Sequence, residues 1–148
     1  MSFKSKISSL FGKGSAETET AENIISFSIS CGHMNYDSCY SFSLKKRESK
    51  WFFSASCHID GFEDRIEFEN KDTSAETAGK LLNIINEQGI IKMIRAYREP
   101  VLKFHAMDET TYYTAIVFSD NSETAAMTAA GETVEKFFYS LAKEYIKQ

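Results

Sequence analysis

The chain has 148 residues, 43% of them hydrophobic and 14% aromatic, with a formal net charge of −4. A chain of this length buries roughly 70% of the surface that its unfolded form exposes, and twelve Phe and seven Tyr against one Pro exclude a collagenous or low-complexity composition. The acidic balance argues against general attraction to nucleic acid, and the sequence has no run of about 20 apolar residues of the kind that crosses a membrane as a helix.

Residues 1–13, MSFKSKISSLFGK, carry Lys4, Lys6 and Lys13 and no acid, whereas the residues that follow carry Glu17, Glu19 and Glu22 and no base. Phe3, Ile7, Leu10 and Phe11 fall at i, i+4, i+7 and i+8, one face of a helix with lysines and serines around the rest. Such a segment suits an anionic membrane surface or a groove in a protein partner. The plain alternative is a frayed terminus with a few stray hydrophobes. Residues 1–22 are therefore read as a mobile segment, a possible amphipathic helix followed by an acidic linker, ahead of a single domain over 23–148. The start lacks the continuous apolar stretch of a secretory signal. Three cysteines, an odd count, read as reduced thiols. The expected location is the cytoplasm, with peripheral membrane association as an option through the N-terminus.

Period-two alternation dominates the next stretch. Ile25, Phe27, Ile29 and Cys31 alternate with serines; Tyr40, Phe42 and Leu44 alternate with Ser41, Ser43 and Lys45; Phe53, Ala55, Cys57 and Ile59 alternate with Ser54, Ser56 and His58. For the last two to share an apolar face, even-numbered residues of one must pair with odd-numbered residues of the other, for example Phe42 with Phe53 and Leu44 with Trp51. The intervening residues 46–50 contain no Gly or Pro, which predicts a four-residue loop on a type I turn. A fourth strand is expected from Arg65 to Glu69, with Glu67 and Glu69 on its solvated face. The four make an antiparallel meander.

Ser74 is the predicted N-cap of a helix, or Thr73 with Glu76 as a capping box. Its buried stripe is Ala78, Leu81, Leu82 and Ile85, and Gly89 ends it. IIKMIRAY reads as a second short helix, stopped before Pro100. Leu102, Phe104 and Ala106 alternate with Lys103 and His105. TTYYTAIVFS and a weak strand over 123–128 then form a hairpin around Ser119 to Ser122, whose residues are turn formers. From about Gly131 the chain turns helical, with Val134, Phe137, Phe138, Leu141 and Tyr145 as the apolar stripe. Glu132 and Glu135 near its start and Lys143 and Lys147 near its end suit the helix dipole.

Candidates for chemistry are few. Cys31, His33, Cys57 and His58, with Cys39 nearby, have the ligand types for zinc, but there is no C-x-x-C knuckle and no H-x-x-x-H on a helix. Strand parity also puts Cys31 and Cys57 on the apolar face while Cys39 and His58 point away, so the thiols are expected to pack as small hydrophobes and no metal or other cofactor is expected. His105 with Asp108, or His58 with Asp60, lacks the local motif of a nucleophilic site. The acids of DGFEDRIEFENKD miss the spacing of an EF-hand loop. Lys92, Arg95, Arg98 and Lys103 form a modest basic patch, read as a solvated helix face with an anionic partner as the minor alternative. Neither a dinucleotide nor a phosphate loop is present.

The element order predicts an α+β fold with a mainly antiparallel sheet: a four-strand meander, two helices, a second hairpin, and a C-terminal helix, the helices packed on one face. Either the serine-rich face stays open or the sheet curls around the helices. The expected function is a small intracellular non-enzymatic binding or adaptor domain, using its open sheet face or its N-terminal segment, with a protein or an anionic membrane as partner and no nucleic acid. The alternative is a small enzyme or a ligand- or metal-binding protein with a site near Tyr36, His33 and His58.

Overall fold

The computed structural model describes residues 20–32, 39–98 and 110–146. A 3-10 turn, Ala21–Asn23, leads into β1 (Ile24–Gly32), which is followed by β2 (Tyr40–Arg47), β3 (Lys50–Cys57) and β4 (Ile66–Thr73). Two helices follow, α1 (Ala75–Glu87) and α2 (Ile90–Ala96), then the strands β5 (Thr111–Phe118) and β6 (Glu123–Ala126) and the helix α3 (Glu132–Ile146). The class is the expected α+β. The six strands form one open antiparallel sheet in the order β4-β3-β2-β1-β5-β6. The meander supplies four strands, and the second hairpin joins it by laying β5 against β1.

The alternation seen in sequence fixes which way the strand side chains point, except at the start of β1, where a bulge between Ile24 and Ser26 buries Ile24 in place of the expected Ile25. Phe27, Ile29, Phe42, Leu44, Phe53, Ile116 and Phe118 share one face and are buried. The three helices cover that face. Phe138 of α3 stacks on Phe27, Phe42 and Phe53 of three successive strands, while Leu81 and Ile85 of α1 and Ile90 and Ile94 of α2 join the same cluster. Burial of these large side chains, about 1.5–3 kcal/mol each, is what holds helices and sheet together. Hydrogen bonds pin the C-terminal end of α3: the Tyr145 hydroxyl contacts Thr73 Oγ1 at 2.9 Å and donates to the Asp72 carbonyl on β4.

Local signals explain where the helices begin and end. The Ser74 hydroxyl accepts the Thr77 amide at 3.0 Å, so Ser74 is the N-cap of α1. Gly89, at φ 62, takes the left-handed conformation that ends α1 and lets α2 start at a new angle.

Three local expectations are corrected. The β2–β3 connection is a two-residue turn with Glu48 at φ 50 and Ser49 at φ 71, the type I′ pattern, not a four-residue loop. The right-handed twist of the flanking strands, paired as far as Arg47 and Lys50, favours the primed turn even without glycine. Consequently the parity holds but the register shifts by one pair: Phe42 lies opposite Ala55 and Leu44 opposite Phe53. Finally, β4 runs on to Thr73 instead of stopping at Glu69, past a bulge at Asn70, φ 53, whose amide is taken up by the Ser54 hydroxyl at 3.0 Å.

Candidate functional site

Because the apolar residues of each strand face the helices, the alternate residues form the opposite face of the sheet, and pairing aligns them in rows. Ser56, Ser41, Ser30 and Tyr113 are cross-strand neighbours in the first row. Ser54, Ser43, Ser28, Ala115 and Ala125 form the second. Phe52, Lys45, Ser26, Val117 and Glu123 form the third. Hydroxyl-bearing residues thus repeat about every 5 Å across the strands and about every 6.6 Å along them. None of the three helices lies over this face, and most of its serines are half-exposed.

Short hydroxyl side chains keep the surface low, and each donates as well as accepts. Part of the lattice is held in place. The Arg65 guanidinium donates to the Ser56 hydroxyl at 3.0 Å and to the Cys39 carbonyl at 2.8 Å, strapping the end of β3 to the start of β2. Aromatic rings stand at the margins: Phe52 is half-buried beside Lys45, and Tyr113 is 39% exposed. The acids Glu67 and Asp72 on β4 face the rim opposite Ser56 and Phe52.

A second surface feature lies at the other sheet edge, where a groove of about 780 Å³ runs between α2 and β6. Ile94, Arg95, Tyr97 and Arg98 line one wall and Ser122 to Met127 the other, with Tyr113 beneath. The sequence showed Arg95 and Arg98 of its wall as a basic patch but not the groove. The available signals were Met93 and Met127, both exposed, and a strand whose four residues, ETAA, carry a single charge.

The candidate ligand residues do not assemble into a centre. Cys31 and Cys57 are buried in the core as free thiols, and burial pushes both upward in pKa, with Cys39 adding to the effect on Cys31. Cys39 and His58 are half-exposed. Among the described residues no three His, Cys, Asp or Glu side chains converge for a metal ion. His33 and Tyr36 lie outside the described residues, as do Phe3, Ile7, Leu10 and Phe11, the segment 102–106 and the pair His105 and Asp108. Beside Cys31 in the β1–β2 pairing is Tyr40, whose hydroxyl donates to Glu135 Oε2 of α3 at 2.6 Å. Burial first, then this bond, raise the Tyr40 phenol far above its ordinary value. Burial likewise pushes Tyr139 up to about 12. With rings packed edge to face at 6.0 Å, the two tyrosines form an aromatic seal where α3 crosses β2. The hydrogen bond from Tyr40 to Glu135 and the ring contact with Tyr139 anchor the helix to β2.

Among the described residues no helix is long and apolar enough to cross a membrane. Comparisons with protein-family models, with curated proteins and with solved structures find no match for this chain.

Proposed function

We propose that the protein is an intracellular binding domain that engages a protein partner through the serine-lined face of its sheet. The observation that carries this reading is the lattice itself, with two rows of three serines each and Ser26 beyond them, on a face that the helices leave open and with aromatic rings at its margins. Serine supplies adaptable hydrogen bonding and aromatic side chains supply rigid contact area, the combination that antibody paratopes use for wet, moderate-affinity recognition. Nucleic acid is a poor fit, because the chain carries a net charge of −4 and the acids Glu67, Asp72 and Glu123 stand at the ends of the rows, whereas phosphate contacts need an excess of cations. A lipid surface is a poor fit as well, since the rows offer little apolar area to bury. Free thiols at Cys31, Cys39 and Cys57 accord with a reducing compartment.

The segment carrying Phe3, Ile7, Leu10 and Phe11 belongs to the same reading as a recruiting element, on the strength of its sequence pattern alone. Its three lysines would add about 1 kcal/mol each near an anionic surface. Co-sedimentation of the full chain and of a form starting at residue 20 with anionic vesicles separates membrane recruitment, seen as pelleting of the full chain only, from a protein-docking or inert segment, seen as equal pelleting or none.

The face is tested by Ser43→Arg and Ser28→Arg, which place a long cation in the middle row. Quantitative co-purification from the native cells should lose its specific partner in both variants, with thermal stability little changed. A partner retained by both well-folded variants would refute the face as the binding surface.

A further inference from the structure

The two edges of the sheet are treated differently by the sequence. β4 carries Glu67, Glu69, Lys71 and Asp72, all exposed, and bulges at Asn70. Charge and a bulge are the standard means of preventing an edge from pairing with another strand. β6 is protected far less: Glu123 is its single charge, and there is no register shift between Glu123 and Ala126. Phase follows from the hairpin bond. The Phe118 amide donates to the Ser122 carbonyl at 2.9 Å, so by antiparallel alternation Thr124 and Ala126 turn their backbone groups toward β5, while Glu123 and Ala125 turn theirs outward.

Among the described residues no strand pairs with that outward edge, which opens into the groove against α2. Core-side Thr124 and Ala126 and open-side Glu123 and Ala125 all line it, so the groove follows the strand edge itself. Its far wall supplies Ile94 and Tyr97 as apolar contacts and Arg95 and Arg98 as cations, with Lys92 exposed on the same helix. An edge strand facing a helix across an elongated groove is the geometry in which domains add an extended peptide as one more strand.

We propose that the α2–β6 groove binds an acidic extended peptide by strand addition to β6. Backbone pairing with Glu123 and Ala125 supplies affinity, and alternate peptide side chains meet the apolar wall. Carboxylates on the peptide meet Arg95 and Arg98, the latter also donating through Nη1 to the Arg95 and Tyr97 carbonyls, which sets a local sign preference in a chain of net charge −4. At four residues the edge is long enough to seat a peptide and too short to propagate into an extended sheet. The groove shares Tyr113, Glu123 and Ala125 with the far ends of the serine rows, but Ser28 and Ser43 lie outside it and Arg95 and Arg98 lie outside the rows, so the two pairs of variants test the two surfaces independently.

The test is an NMR titration of the full chain with three short blocked peptides: one alternating valine with glutamate, its valine–lysine counterpart, and the glutamate peptide N-methylated at alternate amides. The glutamate peptide should shift the amides from Glu123 to Met127 and weaken with added salt. The other two should bind about tenfold more weakly or less, and Arg95→Glu with Arg98→Glu should reverse the order of the charged pair. Equal binding of the lysine and glutamate peptides, or binding by none, would overturn the proposal. Hydrogen exchange on the free protein gives an independent check, since Glu123 and Ala125 amides must exchange quickly. Protection of those amides in the monomer would mean that the chain's own residues occupy the edge, and protection that depends on concentration would mean that a second copy does; both refute it.

Discussion

Replacing Phe138 with alanine removes the ring that joins α3 to three strands at once. Phe138 is fully buried, with centroids 6.2, 5.2 and 5.8 Å from those of Phe27, Phe42 and Phe53 and planes within 12° of parallel. Deleting about 150 Å² of buried apolar surface at 25 cal/mol per Å² gives about 4 kcal/mol. A partly unfilled cavity and the lost ring contacts place the value near the upper end of the 3–5 kcal/mol typical of Phe→Ala changes. In urea the midpoint should fall with an unchanged slope, and the melting temperature should drop by roughly 8–16 °C. Phe137→Ala, at a half-buried neighbour, should cost distinctly less. A loss for Phe138→Ala below about 1 kcal/mol, or equal to that for Phe137→Ala, would show that α3 is not the element closing the core.

Relieving the left-handed residues of the β2–β3 turn with Glu48→Asn and Ser49→Gly should raise stability by about 1 kcal/mol in urea melts, whereas a four-residue type I loop would show no gain. Cys39 should react first with a thiol reagent in the native protein, because Cys31 and Cys57 are buried and shifted upward; uniform rates at all three would contradict that placement. Stability should hold up to about pH 10 and fall as pH rises from there through about 12, because unfolded tyrosines ionise while folded Tyr139, up at about 12, and Tyr40, raised further, stay neutral. Tyr139→Phe should flatten that alkaline fall, and an unchanged slope would remove Tyr139 from the explanation.

Much of the fold was legible because its information is local. Alternation in β1, β2 and β3 identified the buried face, including Phe27, Ile29, Phe42 and Phe53, and Ser74 and Gly89 marked the ends of α1 through their capping chemistry. The turn at Glu48 and Ser49 was not legible, since neither is a residue that favours positive φ and the strand twist, a property of the assembled pair, decided it. The second half of β4 was missed because an edge strand can be polar on both sides, so ENKDT shows no alternation. The serines were visible one strand at a time. Their alignment into rows needed the register, and the row ends at Tyr113 and Ala125 needed β5 to pair with β1, a contact between residues some 80 positions apart. The α2–β6 groove depends entirely on such distant placement.

On the proposed reading the two faces of the sheet have different tasks: helices pack one, and the other engages a partner. A photo-activatable side chain placed in living cells at Ser28 or Ser43, and for comparison at the exposed Lys80 on α1 or Lys136 on α3, tests it most directly. Crosslinking of one discrete protein from both sheet positions and from neither helix position is the predicted result. The same adduct from the helix positions, with none from Ser28 and Ser43, would contradict it.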